Sequence, residues 1–163
     1  MLRSILLLSA LSLGACSNLP SRAVNERPPE PRPKVNKMAL NCLAEAIYFE
    51  AGNRGEKGRR AVAHVILNRL DSNDFPSSIC GVIKEGERSG ACQFSYRCDL
   101  DYTRFRYADQ KMRAKATANA VLTGVTQDPT GGALFFHADY AKPGRWFSSL
   151  ERVGNIGGNI FYL

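Results

Sequence analysis

Two amphipathic helices joined by a Gly-containing turn constrain the fold of this chain more than any other feature. They occupy residues 43–68, which read LAEAIYFEAGNRGEKGRRAVAHVILN. We expect Asn41 to cap the first helix and Gly52 to end it. Each helix has one apolar face that must be buried. In the first helix that face carries Leu40, Leu43, Ala44 and Ile47.

The second helix is predicted from about residue 57 to residue 71. Its apolar positions again recur at helical spacing, at Ala61, Val62, Val65, Ile66 and Leu70. The same pattern places Arg59, Arg60 and Arg69 on the solvent side. Asn68 falls on or near the apolar side, where an amide needs hydrogen-bond partners. We therefore expect Asn68 to tie this helix to a loop.

Glu50 lies at the end of the first helix, beside Tyr48 and Phe49. Aromatic burial and the carbonyl dipoles of a helix end both disfavour an ionised carboxylate, so they raise its pKa. A carboxyl group in that setting is suited to donate a proton near neutral pH. Glu45 is five residues away, which turns it about 140° from Glu50 on an ideal helix, so the two are not a facing pair.

The middle of the chain predicts a short helix, a loop and a segment fixed at both ends. Ser77 and Ser78 can cap a helical turn that ends near Ile83, and residues 85–90 form a polar loop. Residues 92–98, CQFSYRC, fit a strand-like or pinned loop better than a helix. The side chains that this segment can present are Gln93, Ser95 and Tyr96.

The last third predicts one more helix and then short extended pieces. The helix covers about 107–123, with a small-residue stripe at Ala108, Met112, Ala116 and Ala120. A turn at 128–132 precedes a short strand at 133–137, and residues 160–163 form a closing strand. This order, mostly helical with small late β elements, indicates an α+β fold.

The N-terminus predicts export. Residues 1–15 resemble a signal peptide, and Leu13 to Cys16 resemble the lipobox, in which a signal peptidase cuts before the Cys and its thiol receives lipid. Ser17 after this Cys favours the outer membrane. Residues 16–37 are rich in Pro and charge and are expected to tether one folded domain, 38–163, to the membrane.

Composition narrows the environment and the partners. The net charge is +7, and seven basic residues lie between Arg104 and Arg145. For an exported protein we expect peptidoglycan or anionic lipid, and not nucleic acid, to be the polyanion nearby. Four further cysteines, Cys42, Cys80, Cys92 and Cys98, predict two disulfides of unspecified pairing. Zinc binding is the alternative, although only two His are present.

Several segments in order resemble bacterial cell-wall hydrolases related to the spore cortex-lytic enzyme (SleB-like). They are AIYFEAGNRGEKGRRAVAHVILNR, FPSSICGVI, CQFSYRCD, DPTGGALFFHA and IGGNIFY, with Pro143 and Trp146. The resemblance implies a compact lysozyme-like α+β domain that cleaves the peptidoglycan glycan strand with Glu50 as catalytic residue. Within this family the resemblance favours a lytic transglycosylase, which cuts between N-acetylmuramic acid and N-acetylglucosamine with a single catalytic Glu. A muramidase-type hydrolase and an N-acetylmuramoyl-L-alanine amidase are the alternatives. No cofactor or metal is implied.

The same resemblance suggests which side chains line a substrate groove. Gln93, Ser95 and Tyr96 would contact the sugar N-acetyl groups. The opposite wall and the turn after Glu50 would add Thr130, His137, Trp146 and Glu56. The chain departs from the family pattern at Asn159, where His is frequent.

Two other classes of function stay open. Cys42 near a helix start and His137 on a later strand have the outline of a papain-like peptidase, which requires a free thiol. A peptidoglycan-binding lipoprotein without catalytic activity is the second. For a hydrolase that uses two carboxylates, the candidates beside Glu50 are Glu56, Asp99 and Asp101.

Overall fold

The computed structural model describes residues 35–99 and 105–163. Within these ranges four α-helices precede a three-stranded sheet. The helices are α1 (Lys37–Ala51), α2 (Glu56–Asp71), α3 (Ile79–Ile83) and α4 (Ala108–Leu122). The strands are β1 (Phe135–Ala138), β2 (Arg152–Ile156) and β3 (Asn159–Tyr162). This architecture confirms the α+β prediction. The predicted signal segment, Cys16, most of the tether and Asp101 lie outside the described residues.

Helix α1 is the central helix and packs against α2, α3 and α4. Its buried face consists of Leu43, Ala46, Ile47, Tyr48 and Ala51. The predicted cap at Asn41 is wrong, because the helix begins one turn earlier. The Asn36 side chain accepts hydrogen bonds from the backbone N–H groups of Met38 (2.8 Å) and Ala39 (3.3 Å). Gly52 ends the helix as predicted, and its N–H bonds the Tyr48 carbonyl at 3.0 Å.

Helix α2 corrects the predicted position of two arginines, because Arg59 and Arg69 are buried. Arg59 precedes Val62 by three residues and Arg69 follows Val65 by four, so both lie on the buried face of the helix. Each guanidinium has a hydrogen-bond acceptor. Arg59 bonds Glu56 at 2.7 Å, and Arg69 Nε donates to the Leu134 carbonyl at 2.7 Å. These acceptors offset part of the cost of burying each guanidinium.

Asn68 joins α2 to the 128–133 turn, as predicted. Its amide nitrogen donates to the Asp128 carboxylate at 3.0 Å and to the Ala133 carbonyl at 3.1 Å. Asp128 in turn accepts from the backbone N–H groups of Thr130 and Gly132, both at 2.8 Å. The turn that leads into β1 is therefore fixed to the end of α2.

Helix α4 buries a different face from the predicted stripe. Ala108, Met112 and Ala116 are exposed. The buried residues are Ala114, Thr117, Ala118 and Val121, which follow the spacing of three and four residues toward α1 and α2. Small residues at Ala114 and Ala118 still permit close packing of the helix on its neighbours.

The sheet has the antiparallel order β1-β3-β2, so the closing strand lies in the middle. Strand β2 was not predicted, because it is mostly exposed and Gly154 lies at an irregularity of register. The β2–β3 turn needs Gly157, whose φ is +62°. A Cβ there would lie 2.6 Å from the Gly58 Cα, so this turn packs directly on α2.

Two disulfides form, as predicted. Cys42–Cys80 links α1 to α3, and Cys92–Cys98 closes the loop of residues 92–98, which follows α3. Because all four sulfurs are bonded, the zinc alternative for these cysteines and the papain-like alternative based on a free Cys42 thiol are both wrong. None of the helices within 35–99 and 105–163 is long and apolar enough to cross a membrane.

Candidate active site

Glu50 lies on the continuation of the buried face of α1, one helical step beyond Ala46 and Ile47. The residue is partly buried at the end of the helix. Burial raises the pKa of its carboxyl from 4.5 to about 7, although the positive charge of Arg69 acts to lower that pKa. Near neutral pH, Glu50 is therefore present both as an acid and as a carboxylate.

Arg69 is the cation whose charge acts on the Glu50 carboxyl group. Its guanidinium is surrounded by three aromatic rings. Its guanidinium carbon lies 5.1 Å from the Phe75 ring centre, 5.6 Å from that of Phe94 and 5.7 Å from that of Phe135. Burial lowers its pKa to about 10, opposed by the nearby carboxylates of Glu85 and Glu50. Arg69 thus remains a cation at neutral pH and lies in the field of two carboxylates.

The disulfide-closed loop 92–98 packs against α1 beside Glu50. The Phe49 ring stacks on Tyr96 with ring centres 4.5 Å apart and planes 15° apart. Arg97, from the 3-10 turn Ser95–Arg97, forms ion pairs with Glu45 at 2.7 Å and Glu87 at 2.5 Å. Glu45 therefore holds the 92–98 loop on α1 through Arg97, and it does not face Glu50.

An open cavity of about 240 Å³ lies between this loop and the sheet. It brings together Gln93 and Trp146, which the sequence placed on opposite walls of a groove. Trp146 is 50% exposed and packs edge-to-face on Phe135 with ring centres 5.0 Å apart. The lining residues are Arg69, Cys92, Gln93, Phe135, Phe136, Trp146 and Phe147. Such a lining offers aromatic faces with a few polar groups, which is typical of a small-ligand site.

The other predicted groove residues have different surroundings. Ser95 is exposed on its 3-10 turn. His137 is bonded through Nδ1 to the Ala138 carbonyl at 2.8 Å and through Nε2 to the Tyr162 hydroxyl at 3.0 Å. Thr130 is 1% exposed, and its hydroxyl donates to Asp128 at 2.7 Å. These contacts stabilise the sheet and the turn, so substrate contact by His137 or Thr130 stays a prediction.

Glu56 belongs to a network that joins α2 to α4. Its carboxylate pairs with Arg59 at 2.7 Å and accepts a hydrogen bond from Thr117 at 3.0 Å. Arg59 also donates to the Arg54 carbonyl. The network fixes the turn that follows Glu50, and a direct role for Glu56 toward substrate stays a prediction.

Arg69 and Glu85 were missed as candidate residues. A signal for Arg69 was present, since it follows Val62, Val65 and Ile66 at spacings of seven, four and three residues. Glu85 lies in a polar loop whose sequence has no periodicity, so only the folded chain brings it to Arg69. In the part of the chain that the structure describes, no three His, Cys, Asp or Glu side chains are grouped as metal ligands would be.

The chain combines a helical domain and a small sheet with a partly buried glutamate and an aromatic cavity. The chain belongs to the cell wall hydrolase family, whose model matches residues 53–162. The matched range begins three residues after Glu50 and includes α2, the disulfide loop and the whole sheet.

Among individual proteins, the chain is similar to two spore cortex-lytic enzymes. The Halalkalibacterium halodurans protein is 36% identical over 124 residues, or 75% of this chain and 34% of the relative. The Bacillus subtilis protein is 32% identical over 124 residues, or 75% of this chain and 36% of the relative. The chain therefore spans about a third of the length of these relatives.

A solved structure resembles the fold over most of the chain. The catalytic domain of the germination-specific lytic transglycosylase SleB from Bacillus anthracis superposes with a TM-score of 0.61 and 27% identity. The match covers 80% of this chain and 98% of that domain. The catalytic domain of the Bacillus cereus SleB protein gives the same TM-score and identity and is covered to 94%. These likenesses confirm the compact α+β fold expected of the family.

Proposed function

We propose that this protein is a lytic transglycosylase that cleaves the glycan strand of peptidoglycan between N-acetylmuramic acid and N-acetylglucosamine. The observation that supports this most directly is the carboxyl group of Glu50, whose pKa of about 7 results from burial. Family membership supports a cell-wall substrate. The similarity to a catalytic domain described as a lytic transglycosylase supports the reaction type.

Glu50 performs both proton transfers of the proposed reaction. As an acid, it donates its proton to the glycosidic oxygen while the bond from the muramic C1 to that oxygen breaks. As a carboxylate, it then removes the proton of the muramic C6 hydroxyl, and O6 bonds to C1. The product ends in a 1,6-anhydro ring, no water is consumed and Glu50 is protonated again. A group with a pKa close to the working pH is well matched to both steps.

The cavity supplies the surface on which the glycan would lie. Trp146 offers an apolar face to a sugar ring, and Gln93 offers an amide at the cavity wall. Ser95 and Tyr96 lie on the same loop, and Tyr96 stacks on Phe49, the residue that precedes Glu50. We infer that the stack of Phe49 on Tyr96 transmits the position of the loop to the helix that carries Glu50.

A muramidase-type hydrolase is the nearest alternative. It would need a second carboxylate to activate water or to bond the sugar. Of the candidates, Glu56 is engaged with Arg59 and Thr117. An amidase or a binding protein without activity would give other products or none, so product analysis separates these alternatives from the proposal.

We further propose that the protein is exported and anchored to the outer membrane through lipid on Cys16, facing the periplasm. Two disulfides support an oxidising compartment. A cell-wall substrate supports a site outside the cytoplasm. Mass spectrometry of the mature protein tests the anchor, because an unmodified Cys16 in the mature protein would contradict it.

The Glu50→Gln variant tests the proposed catalyst. The amide keeps the size of the side chain and loses the titratable proton, so we expect a folded protein that releases no soluble fragments from sacculi. Glu151→Gln is the matched control, because Glu151 is exposed. Release by Glu50→Gln at the wild-type rate would contradict the proposal.

A further inference from the structure

Arg69 carries a buried donor that the fold itself does not use. The residue is 4% exposed, and its Nη1 has no hydrogen-bond partner among the described residues. Its Nε, by contrast, donates to the Leu134 carbonyl at 2.7 Å. An unpaired buried donor costs about 1–3 kcal/mol, so a native protein that retains one usually has a use for it.

The guanidinium that carries this donor is held in place, and Arg69 is one of the residues that line the cavity. Three aromatic rings, those of Phe75, Phe94 and Phe135, surround the guanidinium. The bond to Leu134 prevents rotation about the end of the side chain. Arg69 lines the cavity together with Gln93 and Trp146, both of which are exposed. The guanidinium with its unpaired donor is therefore held in a fixed orientation at the wall of the cavity that we propose as the glycan surface.

The charges around Arg69 favour a neutral acceptor. Glu85 and Glu50 both act electrostatically on the guanidinium. One oxygen of Glu85, Oε2, is itself buried without a hydrogen-bond partner among the described residues. A ligand carboxylate would meet the negative field of Glu85, whereas an amide carbonyl would accept from Nη1 without that repulsion. The aromatic lining of the cavity also suits a methyl group better than a second charge.

We propose that Arg69 binds the N-acetyl group of an amino sugar. Its Nη1 donates to the amide carbonyl oxygen, and the acetyl methyl packs against Phe135 and Trp146. This assignment rests on the proposed function, because it names the sugar group that the same site takes. Arg69 thereby becomes a specificity-determining residue, and an acylated amino sugar next to the cut bond becomes a requirement of the site.

Activity on matched substrates tests the assignment. The rate of fragment release by the wild-type protein is measured on three substrates. These are intact sacculi, the same sacculi after chemical de-N-acetylation, and the de-N-acetylated sacculi after re-acetylation. We expect a preference for the acetylated forms of about tenfold or more, the size of one charge-assisted hydrogen bond. The Arg69→Lys variant keeps the cation and loses the Nη1 donor, so most of this preference should disappear. Arg113→Lys, on the exposed side of α4, should keep it.

Three results of this comparison would overturn the assignment. An undiminished preference in Arg69→Lys would mean that the free amine is merely repelled by the cation. Equal losses on both substrates would mean that Arg69 only supports the fold. De-N-acetylated sacculi retain their carboxylates, so full wild-type activity on them would indicate that the acetyl group is not recognised.

A measurement on the wild-type protein keeps the assignment testable if the variant does not fold. The side-chain N–H signals of Arg69 are followed by NMR during titration with a tetramer of N-acetylglucosamine or with the glucosamine tetramer. The acetylated tetramer should shift the Arg69 signals and the other should not. Equal effects would contradict the assignment. This titration involves no bond cleavage, so it is independent of whether the protein proves to be a transglycosylase.

Discussion

Glu50 and Arg69 occupy equivalent positions on two helices, each at the end of a buried apolar face. The positive charge of Arg69 acts to lower the Glu50 pKa, yet burial dominates and the pKa is about 7. The charge of Arg69 thus acts on Glu50, yet Glu50 is still partly protonated at neutral pH. This balance is the central feature of the proposed site.

The pH dependence of the reaction follows from this balance. Protonation of the glycosidic oxygen requires the acid form of Glu50, whose fraction falls above a pKa of about 7. Fragment release should therefore decline as pH rises through 7, by about tenfold per pH unit beyond it. Initial rates on sacculi between pH 5 and 9 measure this. A rate that is constant up to pH 9 would contradict the role of Glu50 as proton donor.

Removing the cation should move the alkaline limit of activity. Arg69 lowers the Glu50 pKa, so Arg69→Met should raise that pKa and shift the decline in rate to higher pH. Arg69→Lys retains the charge and serves as the control, with a limit close to that of the wild type. A shift to lower pH in Arg69→Met would show that the two groups do not interact as described.

The raised pKa of Glu50 also has a consequence for stability. The folded state binds the proton more tightly than the unfolded state, whose pKa is near 4.5. Ionisation of Glu50 therefore lowers the free energy of unfolding as pH rises from about 4.5 to 7, by up to about 3 kcal/mol. Glu50→Gln lacks this loss. Urea unfolding should show the variant gaining stability relative to wild type across this interval, whereas a constant difference would contradict the shift.

The two disulfides should differ in their effects on stability and activity. Cys42–Cys80 spans 38 residues in sequence and Cys92–Cys98 spans 6. Loop entropy predicts losses of about 4 and about 2 kcal/mol when each pair is replaced by Ser. Activity should show the opposite order, because the smaller loop carries Gln93 and Tyr96. Thermal unfolding and sacculus digestion of both double variants test this, and equal activity losses would argue against a role for the loop.

Exposed aromatic residues allow a matched test of the proposed glycan surface. Trp146 is 50% exposed and lines the cavity, whereas Tyr140 is 83% exposed and is not among the lining residues. Trp146→Ala should weaken binding to sacculi by about tenfold with little change in stability. Tyr140→Ala should bind like the wild type. Binding is measured by co-sedimentation with sacculi. Both substitutions are made in the Glu50→Gln variant, so that the sacculi are not digested during the measurement.

Local pattern was sufficient to predict the helices and the end of α1 at Gly52, because burial of one face imposes a period on the sequence. Asn68 was found as a tie to the 128–133 turn for the same reason. The pattern failed where an arginine replaces an apolar residue on the buried face. Arg69 was placed outside by its charge, although its spacing from Val65 and Ile66 indicated the opposite.

Other parts of the site depend on contacts between distant residues. Glu85 meets Arg69 only through the folded loop, and no periodicity marks it. Strand β2 has little alternation, since most of its residues are exposed at the sheet edge. The pairing of Cys92 with Cys98 equally required the fold, because four cysteines allow three pairings.

In the proposed reaction, Glu50 cleaves the glycan strand without consuming water. The most direct measurement is mass spectrometry of fragments released from purified sacculi in water enriched in ¹⁸O. The wild-type protein should yield 1,6-anhydro-muramic ends without ¹⁸O, and Glu50→Gln should yield no fragments. Reducing ends that carry ¹⁸O would show a hydrolase, freed peptide stems would show an amidase, and either result would contradict the proposed reaction.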